Sequence, residues 1–146
     1  MHHLPEVRKF LREACRCLRH DGKIVMIEPW VTSWSRFIYR HFHHEPFNPD
    51  AETWGFAPMG PLSGANMAIP WIVFERDRGR FAAEFPDLQV KQIRPLMPFR
   101  YLVSGGVTMR SLMPGFTEKA WRSLEQLLEP QMSHLGLFAF IQIVRR

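Results

Sequence analysis

This chain has few cysteines and no long apolar run, and these two absences exclude several classes of protein. The only cysteines among its 146 residues are Cys15 and Cys17. They lie two apart in a predicted helix, so they point to different faces, cannot bridge each other and are too few for a structural zinc site. No apolar run reaches the roughly 18 residues of a membrane-spanning helix, and residues 1–5 do not resemble a signal peptide. We therefore expect a cytoplasmic protein without a transmembrane segment.

The composition is that of a folded domain with a mildly basic surface. Hydrophobic residues make up 46% of the chain and charged residues 23%, which predicts one domain over residues 1–146. Nineteen Lys and Arg against fourteen Asp and Glu give a net charge of +5. The basic residues are scattered along a helix face and no aromatic and basic stripe accompanies them, so we expect no nucleic-acid partner.

Apolar periodicity predicts a helix and then a strand at the start of the chain. Residues 5–19 place apolar side chains at helical spacing, and Gly22 follows as a stop signal. Residues 24–27 form a short continuous apolar run, which predicts a strand covered on both faces, as in a parallel α/β sheet. A helix joined to such a strand by a glycine turn is half of a β-α-β unit.

The next segment, residues 30–75, is rich in aromatic residues and is broken by proline and glycine. This texture predicts a lid or pocket wall, with short elements at 33–42 and 65–72. Beyond it the patterns predict a helix at 76–85, a strand at 88–93, a loop or irregular strand at 95–106, a helix capped by Thr117 and running to 128, and a buried strand at 137–144. The predicted class is α/β, with about three strands and flanking helices.

Three segments resemble class I S-adenosylmethionine-dependent methyltransferases, in particular the small-molecule branch that includes ubiquinone and menaquinone C-methyltransferases. They are MHHLP at 1–5, FLREA at 10–14 and LRHDGKIVMIEP at 18–29. They are similar to that branch's strand-ending His-His-Leu turn, its following helix face, and its glycine turn into an apolar strand ending in Glu. The resemblance implies a partial Rossmann-like fold, the C-terminal portion of a seven-stranded sheet whose last strand is antiparallel.

The resemblance also implies S-adenosylmethionine as the cofactor. In the family a glycine-rich loop after the first strand and an acidic residue after the second hold it. In this sequence the glycine clusters, Gly60 with Gly64 and Gly105 with Gly106, neither follow an apolar strand nor open a helix. We therefore expect the chain alone not to bind the cofactor with useful affinity.

Candidate site residues follow from the same resemblance, because ligands of open α/β sheets bind beyond the carboxyl ends of the strands. It implies that His3 or Glu28 is the catalytic base and that His2 contacts the cofactor. The residues expected to line the site of an apolar acceptor are Trp30, Trp34, Tyr39, His43, His44 and Trp71. The alternatives are a solvent-exposed terminus for the histidines, a strand-end carboxylate that accepts backbone hydrogen bonds for Glu28, and ordinary packing for the aromatic residues.

A metal site is the remaining possibility that the sequence raises. His41, His43, His44 and Glu45 are ligand types that suit zinc or iron. Their spacing matches no metal motif, and the family chemistry requires no metal. The sequence therefore predicts no metal ligand.

Two functions remain open from the sequence. The first is an S-adenosylmethionine-dependent methyltransferase, as a fragment or truncated homologue, acting on a small and apolar molecule. The alternative is a non-catalytic methyltransferase-like remnant that works as a binding or protein-interaction module. Either way, the strand at 24–27 lacks its expected neighbour, which predicts pairing with a second copy or with a separate N-terminal half.

Overall fold

Three strands and seven α-helices make up the described part of the chain, which in this computed structural model comprises residues 1–56, 64–106 and 114–146. Residues 57–63 of the predicted lid, Gly60 among them, lie outside these ranges. The helices are α1 (Val7–Cys17), α2 (Ser33–His41), α3 (Ile69–Trp71), α4 (Arg78–Glu84), α5 (Arg100–Val103), α6 (Glu118–Leu127) and α7 (Met132–Leu135). A π-helical turn, Ile72–Arg76, extends α3, and 3₁₀ turns at Gly115–Thr117 and Glu129–Gln131 flank α6.

The strands β1 (Lys23–Pro29), β2 (Leu88–Leu96) and β3 (Phe138–Arg145) form one open sheet. Their order is β1-β3-β2, and both pairings are antiparallel. The number of strands and the antiparallel last strand are confirmed. The expectation of parallel pairing is wrong, because β3 lies between β1 and β2 and separates the two strands that share a direction.

One face of the sheet packs against helices and the other is open along β1. Val25 and Ile27 are each 56% exposed, whereas Ile24 and Met26 pack against the core. The prediction that this strand is covered on both faces is therefore wrong. A run of four apolar residues is typical of a strand that is buried on both faces. It is equally compatible with a strand whose outward face is exposed and can bind a partner.

The hydrophobic core consists of two clusters. The larger one joins the inner face of the sheet to α1, α3, the π-helical turn and α4, through buried residues such as Leu11, Phe74 and Ile141. The smaller one lies at the end of the sheet where β3 begins, around Tyr39 and Leu137. The aromatic segment that the sequence predicts as a lid thus contributes to both clusters.

Helix ends follow the sequence in some places and depart from it in others. Thr32 and Ser35 form a reciprocal capping box that starts α2. Thr117 precedes α6 as predicted, but its hydroxyl donates to the carbonyl of Pro114 and does not cap the helix. The side chain that α6 buries is Glu125, which accepts hydrogen bonds from the backbone N–H groups of Phe99 and Arg100.

Two further predictions concern the thiols and membranes. Cys15 and Cys17 both lie on α1 and are free thiols, as expected from their spacing. Within the described residues, no helix has the length and apolar character required to cross a membrane.

Candidate functional site

The carboxyl end of β1 and the turn at the start of the chain meet in one polar cluster. Glu28, at the penultimate position of β1, is buried, and its Oε2 lies 2.5 Å from Nδ1 of His2. Its other oxygen pairs with the amino group of Met1. The structure thus brings Glu28 and His2 into contact, while His3 contacts a different carboxylate.

The surroundings of Glu28 favour its ionised form. Burial alone would raise the pKa of Glu28, but hydrogen bonds from His2 and the Met1 amino group outweigh that cost, and the net pKa is lowered. A carboxylate that accepts two strong hydrogen bonds and has a lowered pKa is a weak proton acceptor. Glu28 is therefore better suited to orient His2 than to act as a base.

Asn66, which the sequence did not single out, holds this cluster in place. It is buried, and its side-chain oxygen accepts from the N–H groups of Asn48 and Ala68 while its amide donates to the carbonyl of Asn48. Its own N–H donates to the carbonyl of His2 at 3.1 Å. Asn66 thereby ties the first turn of the chain to the segment after α2. Asn is a common turn residue, but nothing in the sequence indicates which distant backbone groups it bonds.

This arrangement brings Glu45 close to both histidines. One of its carboxylate oxygens lies 3.6 Å from Nε2 of His3 and the other 3.9 Å from Nε2 of His2. The two imidazole rings lie side by side, with centroids 4.2 Å apart. His3 is the more accessible of the two, with 56% of its side chain exposed against 20% for His2.

A chain of hydrogen bonds extends the cluster toward α5. The N–H of Glu45 donates to Nδ1 of His43, Nε2 of His43 lies 2.9 Å from the hydroxyl of Tyr101, and that hydroxyl donates to the carbonyl of Gly106. The directions of these bonds require a neutral His43 that carries its proton on Nε2. Burial lowers the pKa of His43 and raises that of Tyr101, so both groups stay neutral at pH 7.

The aromatic residues expected to line an acceptor site have different surroundings. Trp30 and Tyr39 are buried in the two core clusters, and the Tyr39 hydroxyl donates to the carbonyl of Leu137. Burial raises the pKa of Tyr39 well above its usual range. Trp34 and Trp71 are half-buried, and the indole N–H of Trp34 donates to the carbonyl of Pro98.

His44 and a patch of exposed aromatic residues lie at the surface of the protein. His44 is exposed and stacks on His43, with centroids 4.8 Å apart. Phe37 and Phe42, which the sequence analysis did not select, are 48% and 57% exposed beside Trp34. Phe37 lies on α2, Phe42 follows its last residue, and the two rings lie with centroids 5.8 Å apart.

A cavity of about 730 Å³ lies elsewhere, between β2, α6 and α7. It is lined by residues that include Arg94, Arg100 and Glu125, and by none of the predicted site residues. Because the chemistry-bearing side chains converge at the end of β1, we take the cluster of His2, His3, Glu28 and Glu45 as the candidate site. The sequence matches no protein-family model, and no match was found among curated proteins or solved structures.

Proposed function

We propose that this chain takes part in S-adenosylmethionine-dependent methyl transfer to a small, apolar acceptor, as the C-terminal portion of a class I methyltransferase-like fold. The observation that carries the proposal is the convergence of His2 and His3 with Glu28 at the carboxyl end of β1. In open α/β sheets that end is where ligands bind. Two of the three motifs that resemble the family, MHHLP at 1–5 and LRHDGKIVMIEP at 18–29, meet there.

The sheet supports the same interpretation. β1 and β2 share a direction, and only the last strand, β3, runs against them. A seven-stranded methyltransferase sheet has an antiparallel last strand of this kind. The exposed edge of β1 is then the position at which the remaining strands would continue the sheet.

The residues present do not provide a cradle for the cofactor. None of the three strands is followed directly by a glycine-rich turn that opens a helix within the described ranges: β1, for example, leads through residues 30–32 into a helix capped by Thr32. Bound S-adenosylmethionine would supply an electrophilic methyl group. Its directional contacts would have to come from residues beyond those described.

The role left to this chain is on the acceptor side. His3 is accessible and is the better base of the two candidates, because the carboxylate of Glu28 is already engaged by His2. A positioned base contributes about 10²- to 10⁴-fold to a rate when an acceptor must lose a proton. The exposed rings of Phe37 and Phe42, together with Trp34, form the apolar surface that we assign to the acceptor.

The decisive experiment measures transfer of a labelled methyl group from S-adenosylmethionine to quinols, phenols and polyketides. The chain is assayed alone and together with the polypeptide encoded directly upstream of Met1. We expect transfer only in the combined sample, and a loss of at least about 100-fold for His3→Ala. His134→Ala, on α7, is the matched control and should leave the rate unchanged.

Two results would overturn this proposal. One is the absence of transfer to every acceptor in the combined sample. The other is a His3→Ala rate equal to that of the control. Calorimetry of the chain alone should show no saturable cofactor binding in the low micromolar range, which corresponds to about −8 kcal/mol.

The second candidate function, a binding or interaction module, is favoured by one observation. Val25 and Ile27 form an exposed apolar strip on a strand whose outer edge is unpaired within the described residues. Such an edge recruits another chain. A stable assembly that transfers no methyl group would favour this function over the first.

A further inference from the structure

Three side chains from two separate segments present metal-ligating atoms to one another. They are His2 and His3 from the first turn and Glu45 from the segment after α2, and one ligand atom from each lies within 4.8 Å of the others. The sequence did not predict this group, because Glu45 follows the histidines by more than 40 residues. Asn66 joins the two segments, because its N–H donates to the carbonyl of His2 and its side-chain oxygen accepts from the N–H of Asn48.

The spacing within the group is unlike that of a direct hydrogen-bonded network. The separations of 3.6 Å and 3.9 Å between the Nε2 atoms and the Glu45 oxygens exceed hydrogen-bonding distance. Donor atoms around a tetrahedral ion with bonds of about 2.0–2.1 Å lie about 3.3 Å apart. Donors that lie within 4.8 Å of one another would have to move closer by at most about 1.5 Å to reach that spacing.

The tautomer of His2 prepares its Nε2 for a cation. Its Nδ1 lies 2.5 Å from the carboxylate of Glu28, so the Nδ1 proton is donated there. When the ring is neutral, the lone pair on Nε2 faces the carboxylate of Glu45, so two hydrogen-bond acceptors lie opposite each other. A cation between them removes that repulsion.

Glu28 also provides the outer partner that metal-binding histidines require. A metal-ligating histidine almost always donates its second N–H to a carboxylate, a carbonyl or water, which fixes the ring and raises its basicity. Glu28 is buried and held on β1, the edge of the sheet, so it gives His2 a rigid support. The cluster therefore has both the ligands and the supporting hydrogen bond of a metal site.

We propose that His2, His3 and Glu45 bind a divalent transition-metal ion through Nε2, Nε2 and carboxylate oxygen, with Glu28 as the positioning residue of His2. Two imidazoles and one carboxylate suit zinc and its neighbours in the first transition row, and they leave coordination positions open for water or an oxygen ligand. The exposure of His3 gives the ion a route from solvent.

This proposal is independent of methyl transfer, since its test needs no cofactor and no acceptor. The two uses of His3 exclude each other, because the lone pair of Nε2 either accepts a proton or binds the ion. Loading the metal would then inhibit a reaction that depends on His3 as a base.

The test uses the full chain carrying a histidine-free tag at its C-terminus, stripped of metal with a chelator and desalted. Co²⁺ is titrated while visible absorption is recorded, and Zn²⁺ binding is measured by calorimetry. We expect one equivalent to bind with a ligand-field spectrum. His3→Ala and Glu45→Gln should each weaken binding at least tenfold, and Glu28→Gln by about 10- to 100-fold.

The matched control is His134→Ala, which removes an exposed histidine on α7 and should bind like the wild-type chain. Circular dichroism of each variant confirms that it is folded, and X-ray absorption of the zinc-loaded wild-type chain reports its ligands directly. Nitrogen and oxygen donors at about 2.0–2.1 Å support the site. A sulfur donor, a wild-type chain without a stoichiometric site, or equal losses for His3→Ala and His134→Ala would overturn it.

Discussion

The Nδ1 atom of His2 lies 2.5 Å from Oε2 of Glu28, and this contact joins the first turn of the chain to the end of strand β1. The same carboxylate also receives a hydrogen bond from the Met1 amino group. Because Glu28 is buried, the contact is shielded from solvent on the sheet side. It therefore fixes both the position of the turn and the proton on the imidazole.

Replacing Glu28 by Gln should destabilise the protein by about 1–3 kcal/mol at pH 7, because a buried hydrogen-bonded anion is lost while its partners stay. The pKa of Glu28 is lowered from 4.5 in the folded state. The contribution of the Glu28 carboxylate to the free energy of unfolding is therefore fully present above pH 4.5 and is lost as pH falls through the folded-state pKa. Urea midpoints measured from pH 7 to pH 3 should show the difference between wild type and variant shrinking on acidification.

Glu13→Gln is the control for that experiment, since Glu13 forms an exposed pair with Arg16 on α1. It should change stability by no more than about 0.5 kcal/mol. A Glu28→Gln effect that is constant across this pH range would show that the carboxylate contributes by shape alone.

Protonation of His43 should make the free energy of unfolding depend on pH in a higher pH range than protonation of Glu28 does. Burial lowers its pKa from 6.5, and the neutral ring accepts from the Glu45 N–H. The contribution of the neutral His43 ring to the free energy of unfolding is thus fully present above pH 6.5. It is lost as pH drops from 6.5 through the lowered pKa of the folded state, because the unfolded chain takes up the proton first. Thermal unfolding at closely spaced pH values should show this loss in the wild type and not in His43→Gln, with His134→Gln behaving like the wild type.

Asn66→Ala should destabilise the fold by about 2–4 kcal/mol, because it leaves backbone groups of Asn48 and Ala68 without partners, each worth about 1–3 kcal/mol. Asn48→Ala is the matched control, since Asn66 bonds only the backbone of Asn48. The Asn48 side chain accepts from the N–H of Asp50 in an exposed turn. Chemical denaturation that finds equal losses for the two variants would contradict the role given to Asn66.

Self-association should occur through β1. Its outer edge is unpaired within the described residues, and Val25 is 56% exposed beside it. We expect light scattering to find a dimer or larger species, and Val25→Lys to dissociate it or make the chain insoluble. Leu127→Lys, at a 78% exposed position of α6, should leave the assembly intact. A wild-type chain that stays monomeric at high concentration would exclude pairing between copies.

Local patterns in the sequence predicted most of the elements, because helix periodicity and short apolar runs depend on neighbouring residues. The helix at 5–19 corresponds to α1 and the strand at 88–93 to β2, each within a few residues. The antiparallel order β1-β3-β2 could not be obtained in this way, since pairing depends on residues far apart in the chain. Exposure of Val25 and Ile27 was missed for the same reason: a run of apolar residues does not say which side is covered.

The candidate site was predictable only in part. The resemblance selected His2, His3 and Glu28, and the fold brings His2 to Glu28. It did not indicate that His3 contacts Glu45, because the two residues are more than 40 positions apart in the chain and only the fold brings them together. Trp30 and Tyr39 illustrate the limit for aromatic residues, whose size suits both a pocket wall and a core, and which the fold buries.

The central position of β3 has a consequence for how the chain folds during synthesis. β1 and β2 hydrogen-bond only to β3 among the described strands, and β3 is the last of the three to be translated. Neither outer strand can therefore find its partner until residues 138–145 have left the ribosome. Until then β1 and β2 remain unpaired, and unpaired apolar strands are prone to aggregate. Closing the sheet also requires contacts across more than a hundred residues, which slows folding. A nascent chain stalled before β3 should thus be a client for chaperones, whereas release of the last strand should allow the three described strands to pair.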